Sequence, residues 1–405
     1  MPIYLFEHRA PYSITVGYDE DMSIRKRIDT FLKTFETNYA THTRIEVSRS
    51  AILHNLDLFE KLSGMPAIPV LKGNAYGHDI ALVAQVLKNR QVPYIAVDGY
   101  FEALRIREVS NQPVLVMGSI LPENYKNMKY DNFAFVVHDE ASIHALGKTG
   151  KHINVHLEAN TGMNRYGAKA DEITGLAQLI QSYKNLTLEG FMSHLADSDG
   201  DDPATVDLAV KQFDECFEAV KATGANPTLI HIAQSSGILK AKSKYANTFR
   251  LGDGLYGINP FPRNHTLSAQ LEGMQPALKL ISTITKIIEL SEGDKVSYNY
   301  TFTAPKKMKI GVLPIGFYEG LKWELSNRGV VKIGEQLMPI VGKVCMHHAT
   351  ISLDGVTAAV GDEVIVYSDV PGDKNTIDNI AHDHGFLNDD LLTSLSRDVR
   401  RVLVK

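Results

Sequence analysis

Cysteine is nearly missing: Cys216 and Cys345 are the only two in 405 residues. That is too few for a disulfide framework, and a reducing cytosol is the simplest compartment for such a chain. No apolar run approaches the roughly 18 residues of a membrane span. The N-terminus lacks a signal peptide's apolar core, because Glu7, His8 and Arg9 and then Asp19, Glu20 and Asp21 interrupt it. A cytoplasmic protein with no membrane partner is therefore expected. Positive charge is not in excess: the formal net charge is −5. A nucleic-acid partner is not expected, since neutralising phosphates takes a basic face. Low-complexity tracts and repeats with a period of about 20 to 50 residues are also lacking.

What remains is an ordinary globular composition, 44% hydrophobic and 22% charged, on a chain longer than one average domain. Its texture changes twice. Residues 1–42 mix a β-like stretch at 12–16, an acidic turn at 19–21 and a helical pattern at 23–36. In that pattern Ser23 is a candidate cap, and Ile24, Ile28, Phe31, Leu32 and Phe35 share one face. This N-terminal extension is expected to dock on the rest of the chain or on a second copy, with a targeting or partner-binding role as the alternative.

Residues 43–275 are regular. Residues 44–47 read as a strand, and Ser48 reads as the cap of a helix ending near Leu62. Apolar runs at 68–71, 94–97, 114–117, 133–137, 153–157, 186–192, 228–233 and 254–258 then alternate with helical patterns at 79–87, 101–109, 140–146, 169–183 and 204–223. Eight such runs in an α/β rhythm predict a closed (β/α)₈ barrel of the TIM type. Residues 276–405 predict a C-terminal β-rich domain. Strand-like runs lie at 278–290, 295–303, 309–313, 329–333, 338–346, 350–353 and 363–367, with Gly-Asp turns at 293–294 and 361–362. Helices near 377–384 and 389–394 and a strand at 399–404 end the chain.

In such a barrel, chemistry is built at the C-terminal ends of the strands. Lys72, Glu158, His194, Gln234 and Ser235 stand at or just past the ends of these apolar runs. Lys72 opens the string Lys72-Gly-Asn-Ala-Tyr-Gly-His78. A lysine held at the mouth of a barrel can react covalently with the aldehyde of pyridoxal 5′-phosphate (PLP).

This string resembles the PLP-lysine motif of the alanine racemases, and further motifs follow in the family's order to the end of the chain. Asn160-Thr-Gly-Met-Asn-Arg-Tyr-Gly167, Ser193-His194, His231-x-x-Gln-Ser235, Arg250-Leu-Gly-Asp-Gly-Leu-Tyr-Gly257 and Val296-Ser-Tyr298 all have counterparts. So do Leu313-Pro-Ile-Gly316, Leu325-Ser-Asn-Arg-Gly329 and Val341-Gly-Lys-Val-Cys-Met346. The resemblance implies racemisation of an amino acid, most simply L-alanine to D-alanine for the cell wall, with PLP as cofactor. It assigns Lys72 and Tyr298 as opposed bases, Lys72 on the face used by the D-isomer. Tyr76 and Ser235 go to the cofactor phosphate, and Gly252 belongs to the same cofactor-binding motif. His194 lies against the pyridine ring, and Arg250 faces the pyridine nitrogen. Arg165 serves the phenolic oxygen and the substrate carboxylate, which the backbone at Met346 also meets. His231 is implied to link Tyr298 to Arg250. Because the family's second base reaches the partner's barrel, a homodimer with shared sites is implied. Arg250 can donate a hydrogen bond but cannot take up the ring proton, which favours simple reprotonation over transamination.

Five positions depart from the pattern. Glu158 stands where the family often carries a carbamylated lysine, and is expected to hold Arg165 as a charge-assisted pair. Gln234 replaces Asn, Phe317 replaces a Tyr at the substrate entry, and His347 replaces an Asp after Cys-Met. Asp389 replaces a Tyr that bounds the pocket and touches phosphate, so a polar or basic substrate such as serine or lysine stays open. Three rivals remain: a fold-related amino-acid decarboxylase, a non-catalytic PLP-binding protein, and a regulatory protein on a dead scaffold. His347-His348 and His382-Asp-His384 lack a zinc spacing, so no metal is expected.

Overall fold

The computed structural model describes residues 40–130 and 132–405. The β-like stretch at 12–16 and the helical pattern at 23–36 lie outside the described residues. Residues 43–405 form one compact unit.

Strand β1 (Arg44–Ser48) leads into the helix Arg49–Ser63. Ser48 caps that helix by accepting from the Ala51 amide, and Gly64 ends it at a φ of 68°. Then come β2 (Ala67–Pro69), β3 (Ile95–Val97), β4 (Val114–Val116), β5 (Phe133–Val137), β6 (Ile153–Glu158), β7 (Leu186–Met192), β8 (Leu229–His231) and β9 (Phe249–Leu251). β3 to β8 pair in parallel in sequence order. β2 pairs in parallel with β9, and a bridge from Val70 to Ala96 ties it to β3. The Arg250 amide donates to Ala233 O at 3.0 Å and joins β8 to β9. The eight-stranded barrel is thus closed, as expected.

Seven of the expected barrel strands lie where the apolar runs put them, and the eighth does not. Residues 253–256 form a short 3₁₀ turn, and Gly257 follows at a φ of 76°. The closing strand is Phe249–Leu251. Its middle residue, Arg250, is charged yet buried, and it breaks the apolar run that would have marked the strand.

β1 belongs to another sheet. It pairs antiparallel with β10 (Leu278–Thr283) and parallel with Arg400–Val404. Glu363–Tyr367, Val330–Ile333 and Gln336–Pro339 complete this six-stranded sheet. The expected run at 278–290 divides, because Lys286–Leu290 joins a separate three-stranded sheet with Met308–Leu313 and Ala349–Ser352. The expected strand at 295–303 also breaks. Lys295–Val296 pairs with Phe302–Thr303 across a turn in which Ser297, Asn299 and Tyr300 all have positive φ. Positive φ is unusual for such residues and costs about 1 kcal/mol or more each. Likewise, the run at 338–346 is strand only to Pro339. Among the described residues, no helix is long and apolar enough to cross a membrane.

Candidate active site

The turn after β2 carries Lys72. Gly73, Asn74, Ala75, Tyr76 and Gly77 all have φ between 50° and 80°, a short left-handed segment. The non-glycine residues in it are strained by about 1–2 kcal/mol each. Side chains hold the segment in place. Glu102 accepts from the Gly73 and Asn74 amides at 2.8 and 3.4 Å, and Asn74 Oδ1 accepts from Arg105 at 2.9 Å and from the Ile80 amide at 3.2 Å. The result presents Lys72 and Tyr76 together at the barrel mouth.

Both line a cavity of about 380 Å³ at the C-terminal ends of the strands. Glu158, Arg165, His194, Gln234, Ser235, Arg250, Gly252, Asp253 and Asp389 share it. Eight of these nine are residues expected in the cofactor pocket or at its wall, brought together with Lys72 and Tyr76 from distant parts of the chain; the ninth, Asp253, is not singled out by the sequence. A larger cavity of about 540 Å³ lies against residues 257–276 and 371–388 and holds neither Lys72 nor Arg250.

Arg250 is buried, and its terminal nitrogens are fully engaged. Nη2 donates to Ser193 O at 2.6 Å and Ile232 O at 2.9 Å, and Nη1 donates to His231 Nδ1 at 2.6 Å. Burial lowers its pKa to about 10, which leaves it a cation at neutral pH. His194 Nδ1 lies 3.4 Å from Nη2. Burial first, then the charges of Arg250, Arg165 and Lys72, lower His194 to about 3, so it is neutral. Burial and Arg250 likewise push His231 well down.

A cradle suited to a phosphate lies beside this. The amides of Gly252 and Gly254 both point to Ser235 Oγ, at 3.2 and 3.3 Å. A Cβ on Gly252 would sit 2.7 Å from the Tyr76 hydroxyl, so only glycine admits that phenol.

Two expectations fail here. Among the described residues no ion pair joins Glu158 to Arg165. Burial raises the Glu158 pKa, and Arg250 opposes that more strongly than His138 or Arg165 does. Nor does His231 link Arg250 to Tyr298, because it points into the barrel core, where its Nε2 meets His156 Nδ1 at 2.9 Å.

Tyr298, Met346, Phe317 and His347 are not in the Lys72 cavity of their own chain. Tyr298 is 69% exposed and lies by a surface depression with Ser297, Cys345 and His348. Phe317 and Met346 are also exposed, on adjoining loops tied by the Phe317 amide donating to Cys345 O. His347 Nδ1 lies 2.7 Å from Glu319. A positive-φ turn thus displays Tyr298 outward.

Asp253 and Asp389 form an acidic pair facing Lys72. Burial first, then the charge of Asp389, push Asp253 up to about 7 against the pull of Lys72. Burial raises Asp389 as well. Both folded-state values lie above 3.8, so this contribution to stability is complete below that pH and is lost as pH rises through about 7. Asp253→Asn mimics the protonated acid. It is expected to raise the Tm at about pH 8 and to change it little at about pH 5. Equal shifts at both pH values in melting curves would contradict this.

Two family models match the chain: Alanine racemase, N-terminal domain, over residues 47–260, and Alanine racemase, C-terminal domain, over residues 277–403. The chain is 31% identical over 370 residues to an alanine racemase of Francisella philomiragia, covering 89% of this chain and 99% of that one. It is 31% identical over 371 residues to alanine racemase 2 of Caldanaerobacter subterraneus, covering 89% and 95%. An alanine racemase of Bacillus anthracis, solved with bound L-Ala-P, superposes with a TM-score of 0.82 at 26% identity, over 91% of this chain and 96% of that one. With this architecture and these matches over both domains, the chain belongs to the alanine racemase family of amino-acid racemases.

Proposed function

We propose that this protein interconverts L- and D-alanine in the cytoplasm, with PLP as cofactor and Lys72 and Tyr298 as bases on opposite faces of Cα. Its product would serve the cell wall. The observation that carries this reading is the shared cavity of Lys72, Tyr76, His194, Ser235 and Arg250. The same residues fit PLP. Tyr76, Ser235 and the amides around Gly252 would hold the phosphate, Arg250 would face the ring nitrogen, and Lys72 would hold the aldehyde end. When bound, PLP withdraws electrons from the Cα of an attached amino acid and so acidifies its proton.

The protein's own groups then do the rest. Lys72 Nζ handles the proton on one face. The hydroxyl of Tyr298 from a second copy handles it on the other, because within one chain the two side chains border different cavities. That separation supports a homodimer with shared sites, and exposed Tyr298, Phe317 and Met346 are the surface it would cover. Arg165 lines the cavity beside Lys72 as the cation for the substrate carboxylate. Arg250 keeps its charge, and it would donate a hydrogen bond to the ring nitrogen without giving up a proton, which would favour reprotonation of Cα over transfer of the amino group.

One observation favours a second reading of the substrate. Asp389 faces Lys72 in the same cavity, with Asp253 beside it. Such a wall would accept a polar or cationic side chain. Deuterium incorporation from D₂O into L-alanine, L-serine, L-lysine and L-arginine, with chiral analysis of products, separates the two. Alanine is expected to exchange fastest, by at least about tenfold, since a small pocket discriminates by packing. Faster exchange of lysine or arginine would establish the second reading, and no exchange in any of them would overturn both.

A further inference from the structure

A buried polar chain runs from Arg250 through the barrel core toward its other end. Arg250 Nη1 meets His231 Nδ1 at 2.6 Å, and His231 Nε2 meets His156 Nδ1 at 2.9 Å. His156 Nε2 faces Glu189 Oε2 at 3.7 Å, and Glu189 in turn accepts from the Tyr94 hydroxyl. Asn154 donates to the same hydroxyl at 3.3 Å. His156 and His231 are wholly buried.

The backbone is shaped to admit this chain. The pairing of β6 with β7 shifts register between Val155 and His156, and such a bulge re-aims the side chain that follows it. On the facing strand, a Cβ at Gly190 would lie 2.2 Å from His156 Nδ1, so that position leaves out a side chain where the ring lies.

The direction of the protons in the chain is set from its two ends: a guanidinium only donates and a carboxylate only accepts. His231 Nδ1 must therefore accept, which places its proton on Nε2. That N–H points at His156 Nδ1, which must accept in turn, so the second ring also carries its proton on Nε2. This last N–H faces the carboxylate. At 3.7 Å the contact is longer than a hydrogen bond, but it is charge-directed, and no other acceptor is within reach of His156 Nε2 among the described residues. Burial lowers the pKa of both rings and keeps them neutral. Burial raises Glu189, but His156 and the Tyr94 hydroxyl outweigh it and hold it below the usual carboxylate value.

We propose that Glu189 is a positioning residue for Arg250. As the terminal acceptor of a one-way chain, it holds His156 and His231 in the Nε2–H form and so keeps His231 Nδ1 free to orient the guanidinium. Glu189 touches neither substrate nor cofactor, and its effect reaches the reaction only through Arg250. The role rests on the reading of Arg250 as the group facing the cofactor ring.

The test uses the full-length protein with ¹⁵N-labelled histidine, assigned through His156→Asn and His231→Asn. In the wild type at neutral pH, both histidines are expected as neutral Nε2–H tautomers; a protonated ring or an Nδ1–H form at either site overturns the proposal without reference to activity. Glu189→Leu removes the acceptor. It is expected to shift the His156 signals toward mixed tautomers and to lower kcat on the order of tenfold, with the KM for alanine nearly unchanged. Glu189→Gln keeps an acceptor oxygen and is expected to restore both. A fall in kcat without a tautomer change, or a tautomer change without a fall in kcat, overturns the positioning role. Should Glu189→Leu not fold, the wild-type tautomers and Tyr94→Phe, which frees one side of the carboxylate, still decide it. If the labelled wild type binds no PLP at all, it is the cofactor assignment that fails, and the tautomer result stands apart from it.

Discussion

Lys72→Ala is expected to lose racemase activity by at least about 10⁴-fold, because one residue supplies both the covalent anchor and a base. The loss should be chemical, not structural. Lys72 takes part in no ion pair or side-chain hydrogen bond among the described residues, and the turn that carries it is held by Glu102 and Asn74 instead. The variant should therefore melt close to the wild type while showing no exchange of the Cα hydrogen from either alanine isomer. Retained exchange from D-alanine would mean that Lys72 is not the base on that face.

Tyr298→Phe has the second-largest expected effect, a fall in racemisation of about 10²–10⁴-fold, the range of a single acid–base group. Its signature differs from that of Lys72. With Lys72 intact, D-alanine should still exchange its Cα hydrogen in D₂O while staying D, and L-alanine should do neither. The phenol is exposed and outside the apolar core, so removing one oxygen leaves the fold of the subunit unchanged. Racemisation at the wild-type rate would remove Tyr298 from the mechanism. Exchange from L-alanine alone would reverse the two faces.

Much of the barrel was legible because its strands are short runs buried on both faces, such as Phe133–Val137. The last strand was not, because a buried arginine sits at its centre and the apolar signal moves to the turn that follows. β1 was legible as a strand, yet its sheet was not. Its partners, Leu278–Thr283 and Arg400–Val404, lie far along the chain, and local pattern carries no information about remote pairing. The turn that displays Tyr298 was hidden for a different reason. Its positive φ values fall on Ser297, Asn299 and Tyr300, and no glycine marks them.

The site divides in the same way. Lys72, Tyr76, His194, Ser235 and Arg250 stand in strings whose order points to one chemistry, and they do share a cavity. Asp253 was hidden because its partner Asp389 is remote in sequence, so the acidic pair exists only after folding. His156 had a signal that went unread. Asn154, His156 and Glu158 alternate along one strand, and three polar groups on one face of a barrel strand point into the core.

The central claim is that Lys72 of one subunit and Tyr298 of another flank the same Cα. Unfolding Lys72→Ala and Tyr298→Phe together, refolding the mixture and assaying racemisation tests it most directly. Random pairing makes half of the dimers mixed, and each mixed dimer holds one site with both native bases, so about a quarter of wild-type activity should return. A mixture as inactive as either parent, in dimers shown to have exchanged subunits, would contradict the account.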